Sequence, residues 1–171
     1  MAAIVSRGFV PMRVSKVTGL AQPGGNDADY YAVLEEPDGD RTMVILTGQA
    51  EALALVAALA GKVWPRPMTH QFAAGLVRAL GGQVGAVRLD RVINGAYAAT
   101  VELAGPDGAE RTVDARSTDA LNLAILLSAP VFVAPEVLED CARRFLAGDS
   151  PAAATARRAL TSPAIGFAPG D

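Results

Sequence analysis

The stretch AYAATVELAGPDGAERTVDARSTDALNLAILLSAP, residues 96–130, decides the fold. Tyr97, Ala99, Val101 and Leu103 fall on one parity, with Thr100 and Glu102 on the other, which is strand periodicity. Pro106-Asp107-Gly108 then makes a turn, because proline presets φ and glycine accepts a positive one. A second run passes through Arg111-Thr112 to Arg116, and an apolar helix follows over residues 118–128 until Pro130 stops it. Residues 30–61, YYAVLEEPDGDRTMVILTGQAEALALVAALAG, repeat the same order of features, with Pro37-Asp38-Gly39 as the turn. Two such stretches in one chain point to an ancient duplication.

A further strand precedes each unit, PMRVSKVTGL before the first and QVGAVRLDRVI before the second, where Asn94-Gly95 signals a tight hairpin. The expected fold class is α+β, with duplicated β-β-β-α units, antiparallel or mixed, packed with apolar helices about a pseudo-twofold axis. The helix over residues 49–60 is nearly all apolar and is expected to be buried all round. Between the units, Thr69 caps a helix bearing Phe72, Leu76, Val77 and Leu80, and Gly81-Gly82 ends it. Val131–Val133 reads as a short strand. Pro135 opens a last helix with Glu136, Glu139 and Asp140 early and Arg143 and Arg144 late, as the macrodipole favours. The expected divisions are an N-terminal extension over 1–11, a domain over 12–147, and a mobile Ala/Pro/Gly-rich tail over 148–171.

Bulk properties narrow the function classes. Of 171 residues 51% are hydrophobic, much of that alanine, so the core is expected to bring helices close together. No apolar run approaches the ~18 residues that span a bilayer, and the start carries no export-signal pattern. The single Cys141 rules out an internal disulfide and a cysteine-based metal cage, so a cytoplasmic location is expected. A net charge of −3 gives no global pull toward nucleic acid. That role would fall to a local group such as Arg66, Arg78, Arg88 and Arg91, whose simplest reading is a solvated face. Pro23-Gly24-Gly25-Asn26 precedes neither a helix nor a phosphate-binding lysine, and reads as a plain loop.

Three motifs carry a family resemblance: GQAEA at Gly48–Ala52, RPMTHQ at Arg66–Gln71, and ARSTDA at Ala115–Ala120. In this order they resemble the bifunctional nuclease family, over roughly Met12 to Cys141. The resemblance implies metal-dependent cleavage of RNA and DNA, with magnesium or manganese as the cofactor. The chain departs from the family pattern twice. Gln71 stands where an aspartate is usual, which weakens a metal or acid–base role beside His70. Ser117-Thr118 replaces a Pro-Ser pair, a milder change because either hydroxyl can still cap the helix.

Cleaving a phosphodiester needs an activated water, stabilised phosphoryl charge and a protonated leaving oxygen. The catalytic candidates are His70, Glu51 and Asp119. The metal-ligand candidates are Glu51, Asp114 and Asp119, since hard divalent cations want several oxygens. Arg66 and Arg116 are the candidate phosphate clamps. Glu51 and Asp119 take equivalent places in the two repeats, so a pseudo-twofold that brings helix entrances together would bring these carboxylates together. Each residue also has a structural reading. An acidic first turn suits the macrodipole without any metal, Arg116 can tie neighbouring carboxylates into ion pairs, and His70, the only histidine, can serve as an ordinary helix-start residue. The alternative function is a non-catalytic dimeric binding or regulatory module. Its apolar helices would form a homodimer interface, with no membrane contact.

Overall fold

The computed structural model describes residues 8–21, 28–147 and 150–167. The Pro23–Asn26 loop lies outside them. Along the chain come β1 (Val10–Ala21), β2 (Ala28–Glu35), β3 (Thr42–Thr47), α1 (Gln49–Leu59), α2 (Thr69–Ala79), β4 (Gln83–Ile93), β5 (Ala96–Ala104) and β6 (Glu110–Arg116). They are followed by α3 (Ser117–Leu127), β7 (Val131–Val133), α4 (Pro135–Cys141), a π-helical turn over Ala142–Leu146, and α5 (Pro151–Thr161).

The architecture is α+β. Each Pro-Asp-Gly turn joins two antiparallel strands: the Glu36 N–H donates to Arg41 O at 3.0 Å in one, and the Gly105 N–H to Ala109 O at 2.9 Å in the other. Asn94 and Gly95 take φ of 49° and 80°, the two positive values that a two-residue turn needs to match strand twist. Two three-strand meanders result, β1-β2-β3 and β4-β5-β6. The short β7 fuses them into one mixed seven-stranded sheet of order β3-β2-β1-β7-β4-β5-β6. It runs antiparallel to β1 and parallel to β4. Because Val10 pairs with Val133, residues 10 and 11 belong to the sheet and not to an extension.

Burial differs between the halves. Tyr31–Leu34 in β2 and Met43–Ile45 in β3 are buried without alternation, so both faces of that half are covered. In β5, Tyr97, Ala99 and Val101 are buried while Ala98, Thr100 and Glu102 are half-buried, the pattern of a sheet covered on one face. Helices α1 and α2 each pack on α3, and α4, its π-helical turn and α5 form a second group.

Two expectations change. Helix α1 buries Ala52, Leu55, Val56 and Ala57 but leaves Leu53, which borders an open cleft, and Leu59 exposed. The expected tail contains a helix, Pro151–Thr161. Ser150 Oγ accepts from the Ala153 N–H, Pro151 stands at the first turn, and Ala153, Ala156 and Ala159 are fully buried. Small side chains at that spacing let the helix sit directly on the sheet, and Lys16 Nζ clamps its end through Leu160 O and Ser162 O, both at 2.7 Å. Composition alone understates such a helix, since alanine buries little area per residue. Among the described residues no helix is long and apolar enough to cross a membrane.

Candidate active site at three helix entrances

The site forms where α1, α2 and α3 begin. Glu51 and Asp119 each occupy the third residue of a helix, and His70 the second residue of α2. Gly48 precedes α1, and a Cβ there would stand 2.5 Å from Glu51 Oε2, so a larger residue would make the carboxylate shift from its place over the helix start. The start of α2 is set by Met68, not by Thr69, which is its first helical residue. Gln71 closes the helix start with both ends of its amide, one of which donates an N–H that an ionised aspartate lacks. Its Oε1 accepts the Met68 N–H at 3.2 Å, and its Nε2 donates to Lys62 O at 2.8 Å, tying the preceding loop to the helix.

Arg116 joins the entrances. Its Nη1 meets Glu51 Oε1 at 2.9 Å, its Nε donates to Asp119 Oδ2 at 2.6 Å, and its Nη2 donates to Asp119 Oδ1 at 3.1 Å. On the far side, His70 Nε2 lies 2.9 Å from the same Asp119 Oδ1. Burial pushes the Asp119 carboxyl up, but hydrogen bonds and charge from Arg116 and His70 outweigh it and hold the group below the usual carboxylate range. The hydrogen bond to Asp119, with its charge, keeps the Arg116 guanidinium firmly protonated. An ionised carboxylate can only accept, so His70 Nε2 carries a proton and donates it to Asp119. The pair is thus an oriented imidazole whose Nδ1 makes no hydrogen bond among the described residues.

The remaining candidates lie elsewhere. Asp114, on β6 opposite Thr100, accepts from Arg91 Nη2 at 2.7 Å and is largely exposed. Arg66 is exposed and makes no hydrogen bond or ion pair among the described residues. The other arginines of its expected group are dispersed: Arg88 pairs with Glu102, Arg91 with Asp90 and Asp114, and Arg78 donates to Leu126 O. Among the described residues no group of three or more His, Cys, Asp or Glu side chains is placed to hold a metal ion. Both carboxylates of the cluster are taken by Arg116, which occupies the electrostatic place of a cation. These residues as arranged do not fit a divalent ion.

Beside His70 a cleft opens between α1, α3 and the segment leading into α2, with a volume of about 50 Å³. Ala54, Ala57 and Ala58 hollow one wall, Trp64 and Met68 form another, and Asn122 lines the cleft from α3. A family model described as the bifunctional nuclease domain matches residues 32–145, a span that contains all of these elements. The chain belongs to the bifunctional nuclease domain family. It is also similar to two uncharacterized proteins of Mycobacterium tuberculosis, each 32% identical over 106 residues that make up 62% of this chain and 62% of the relative. The chain thus matches less than two thirds of these relatives' length.

Proposed function

We propose that this bifunctional nuclease domain hydrolyses phosphodiester bonds in RNA and DNA at the junction of the three helix entrances. The observation that carries the reading is Asp119 bonded to His70 on one oxygen while Arg116 holds both of its oxygens. This fixes the tautomer and heading of the imidazole. His70 Nδ1 would take a proton from the attacking water, and the resulting imidazolium would return it to the leaving oxygen. Arg66, without a partner among the described residues, would bind the phosphate, while Arg116 is the organiser of the carboxylates and adds positive potential.

The test uses purified protein on single-stranded RNA and DNA, with magnesium, with manganese and with a chelator, beside the Asp119→Asn variant. An asparagine keeps the shape but favours the wrong imidazole tautomer, so cleavage of both substrates should fall ~10²-fold or more. Equal trace activity in the two proteins would mean contamination and would sink the proposal. The chelator arm reports separately whether a divalent ion is needed.

A second reading, a homodimer, rests on α2. Met68, Phe72, Leu76 and Leu80 recur every four residues and are all exposed, while only Ala74 of this helix is buried. The stripe leaves on the order of 400 Å² of apolar surface in water, comparable with the largest apolar patch of an ordinary monomer, and such patches are often functional. A second copy can match it across a twofold axis, since such an interface is self-complementary. Sedimentation as a monomer at micromolar concentration would refute it.

A further inference from the structure

The two edges of the sheet are finished differently, although β3 and β6 hold the same place in the repeated units. β3 buries Met43–Ile45, and α4 and α5 pack against it. β6 is exposed at Glu110–Asp114 and at Arg116, with only Ala115 half-buried. Natural edge strands are blunted by bulges, prolines or a covering element. Among the described residues β6 has none of these, and it pairs with β5 from Ala98↔Arg116 to Ala104↔Glu110 without a register shift. Val113 lies opposite the buried Val101, on the core-facing side, yet is 48% exposed. The apolar face of the sheet thus runs on to its rim and stops in water.

The hairpin fixes which backbone groups of β6 are free. The Gly105 N–H donates to Ala109 O at 2.9 Å, so these two residues form a hydrogen-bonded pair. Bonded and non-bonded pairs alternate along an antiparallel ladder. Arg111, Val113 and Ala115 therefore bond inward to β5, while Glu110, Thr112 and Asp114 turn their N–H and C=O groups outward. We infer that β6 pairs antiparallel with β6 of a second copy of this chain, across a twofold axis at Val113, so that two sheets become one. Charge selects the register. With Val113 on the axis, Glu110 faces Arg116, Thr112 faces Asp114 and Arg111 faces Ala115. Opposite charges meet at both ends, a hydroxyl meets a carboxylate, and the two valines cover each other. The neighbouring registers that keep outward groups opposed fail. One sets Glu110 against Asp114 and the other sets Asp114 against itself, and like charges directly opposite destabilise a ladder. A twofold interface must be self-complementary, and this edge meets that condition at Val113. Glu110 of the second copy then stands beside Arg116 in the ladder, adding a carboxylate next to the cluster at the helix entrances. The surface is distinct from the α2 stripe, and the inference does not depend on the proposed hydrolysis.

The test combines sedimentation with cysteine cross-linking on the full chain. Wild type should sediment as a dimer at micromolar concentration. Thr112→Pro deletes an outward N–H that β5 does not use, and Glu110→Lys sets like charges opposite each other at both ends. Each should weaken the dimer about 10-fold or more while circular dichroism shows a folded protein. Val113→Cys should cross-link into a covalent dimer under mild oxidation, because facing residues of a non-bonded pair stand about 4.5 Å apart at Cα, within disulfide reach. Arg111→Cys should not, since its counterpart lies about 14 Å away along the strands. Cys141 is buried and does not compete. Should Thr112→Pro fail to fold, Glu110→Lys and the two cysteine variants still decide. A monomeric wild type, or Arg111→Cys cross-linking as readily as Val113→Cys, would overturn the inference. So would a dimer that both edge variants leave intact; if Phe72→Glu then dissolves it, the α2 stripe is the interface.

Discussion

Replacing Arg116 by methionine removes the guanidinium that joins α1 to α3 and keeps a long side chain in place. Arg116 is 67% exposed, so each of its ion pairs belongs to the weak surface class of ~0.2–1 kcal/mol. The Asp119 end is held at two points and its carboxylate is partly buried, which lifts the combined loss to about 1–2 kcal/mol. For a chain of this size that lowers Tm by about 3–6 °C at pH 7. The sign with pH follows from Asp119. Its folded pKa lies below the unfolded value of about 3.9. The stabilisation is therefore complete above the unfolded value and is lost as pH falls through the folded one. Urea unfolding of wild type and variant from pH 7 downward should show the gap shrink below about pH 4. One molar salt should shrink it at neutral pH, since the Debye length falls to ~3 Å. A variant as stable as wild type at pH 7, or a gap that persists unchanged in acid, would refute the view that Arg116 holds these helix entrances together.

Two further outcomes follow from local geometry. Ser128 ends α3 with φ of 54°, a region that disfavours a residue with a Cβ, so Ser128→Gly should raise stability by about 0.5–1 kcal/mol in thermal unfolding. Lys16→Met deletes both bonds to the end of α5 and should cost about 1–2 kcal/mol. Its hydrogen-exchange protection should be lost selectively over Pro151–Thr161, and uniform loss across the chain would contradict the clamp.

The meanders were legible from local chemistry: a Pro-Asp-Gly turn in each, and in the second also alternating parity along β5 and an Asn-Gly turn. The single mixed sheet was not, because β7 pairs with strands far away in sequence and only its three residues, Val131–Val133, announce it. At the site, Glu51, Asp119 and Arg116 were readable from their places at helix starts. Their union through one guanidinium depends on how α1 packs on α3, which no local pattern encodes. Asp114 shares strand parity with Arg116, yet its carboxylate turns to Arg91, a partner two strands away. Asn122 went unnoticed, although one amide inside the apolar run LNLAILL was a signal that a polar group is buried there. The packing of α5 was hidden because its contact stripe is alanine, which composition does not separate from a solvated tail.

The most direct measurement is single-turnover cleavage of single-stranded RNA by wild type and by His70→Ala, with and without added imidazole. If the ring oriented by Asp119 transfers the proton, the variant should lose ~10²–10⁴-fold in rate and recover part of it when imidazole is supplied. A His70→Ala protein that cuts as fast as wild type, or a loss that imidazole leaves untouched in a protein that still folds, would contradict the assignment of the chemistry to these three helix entrances.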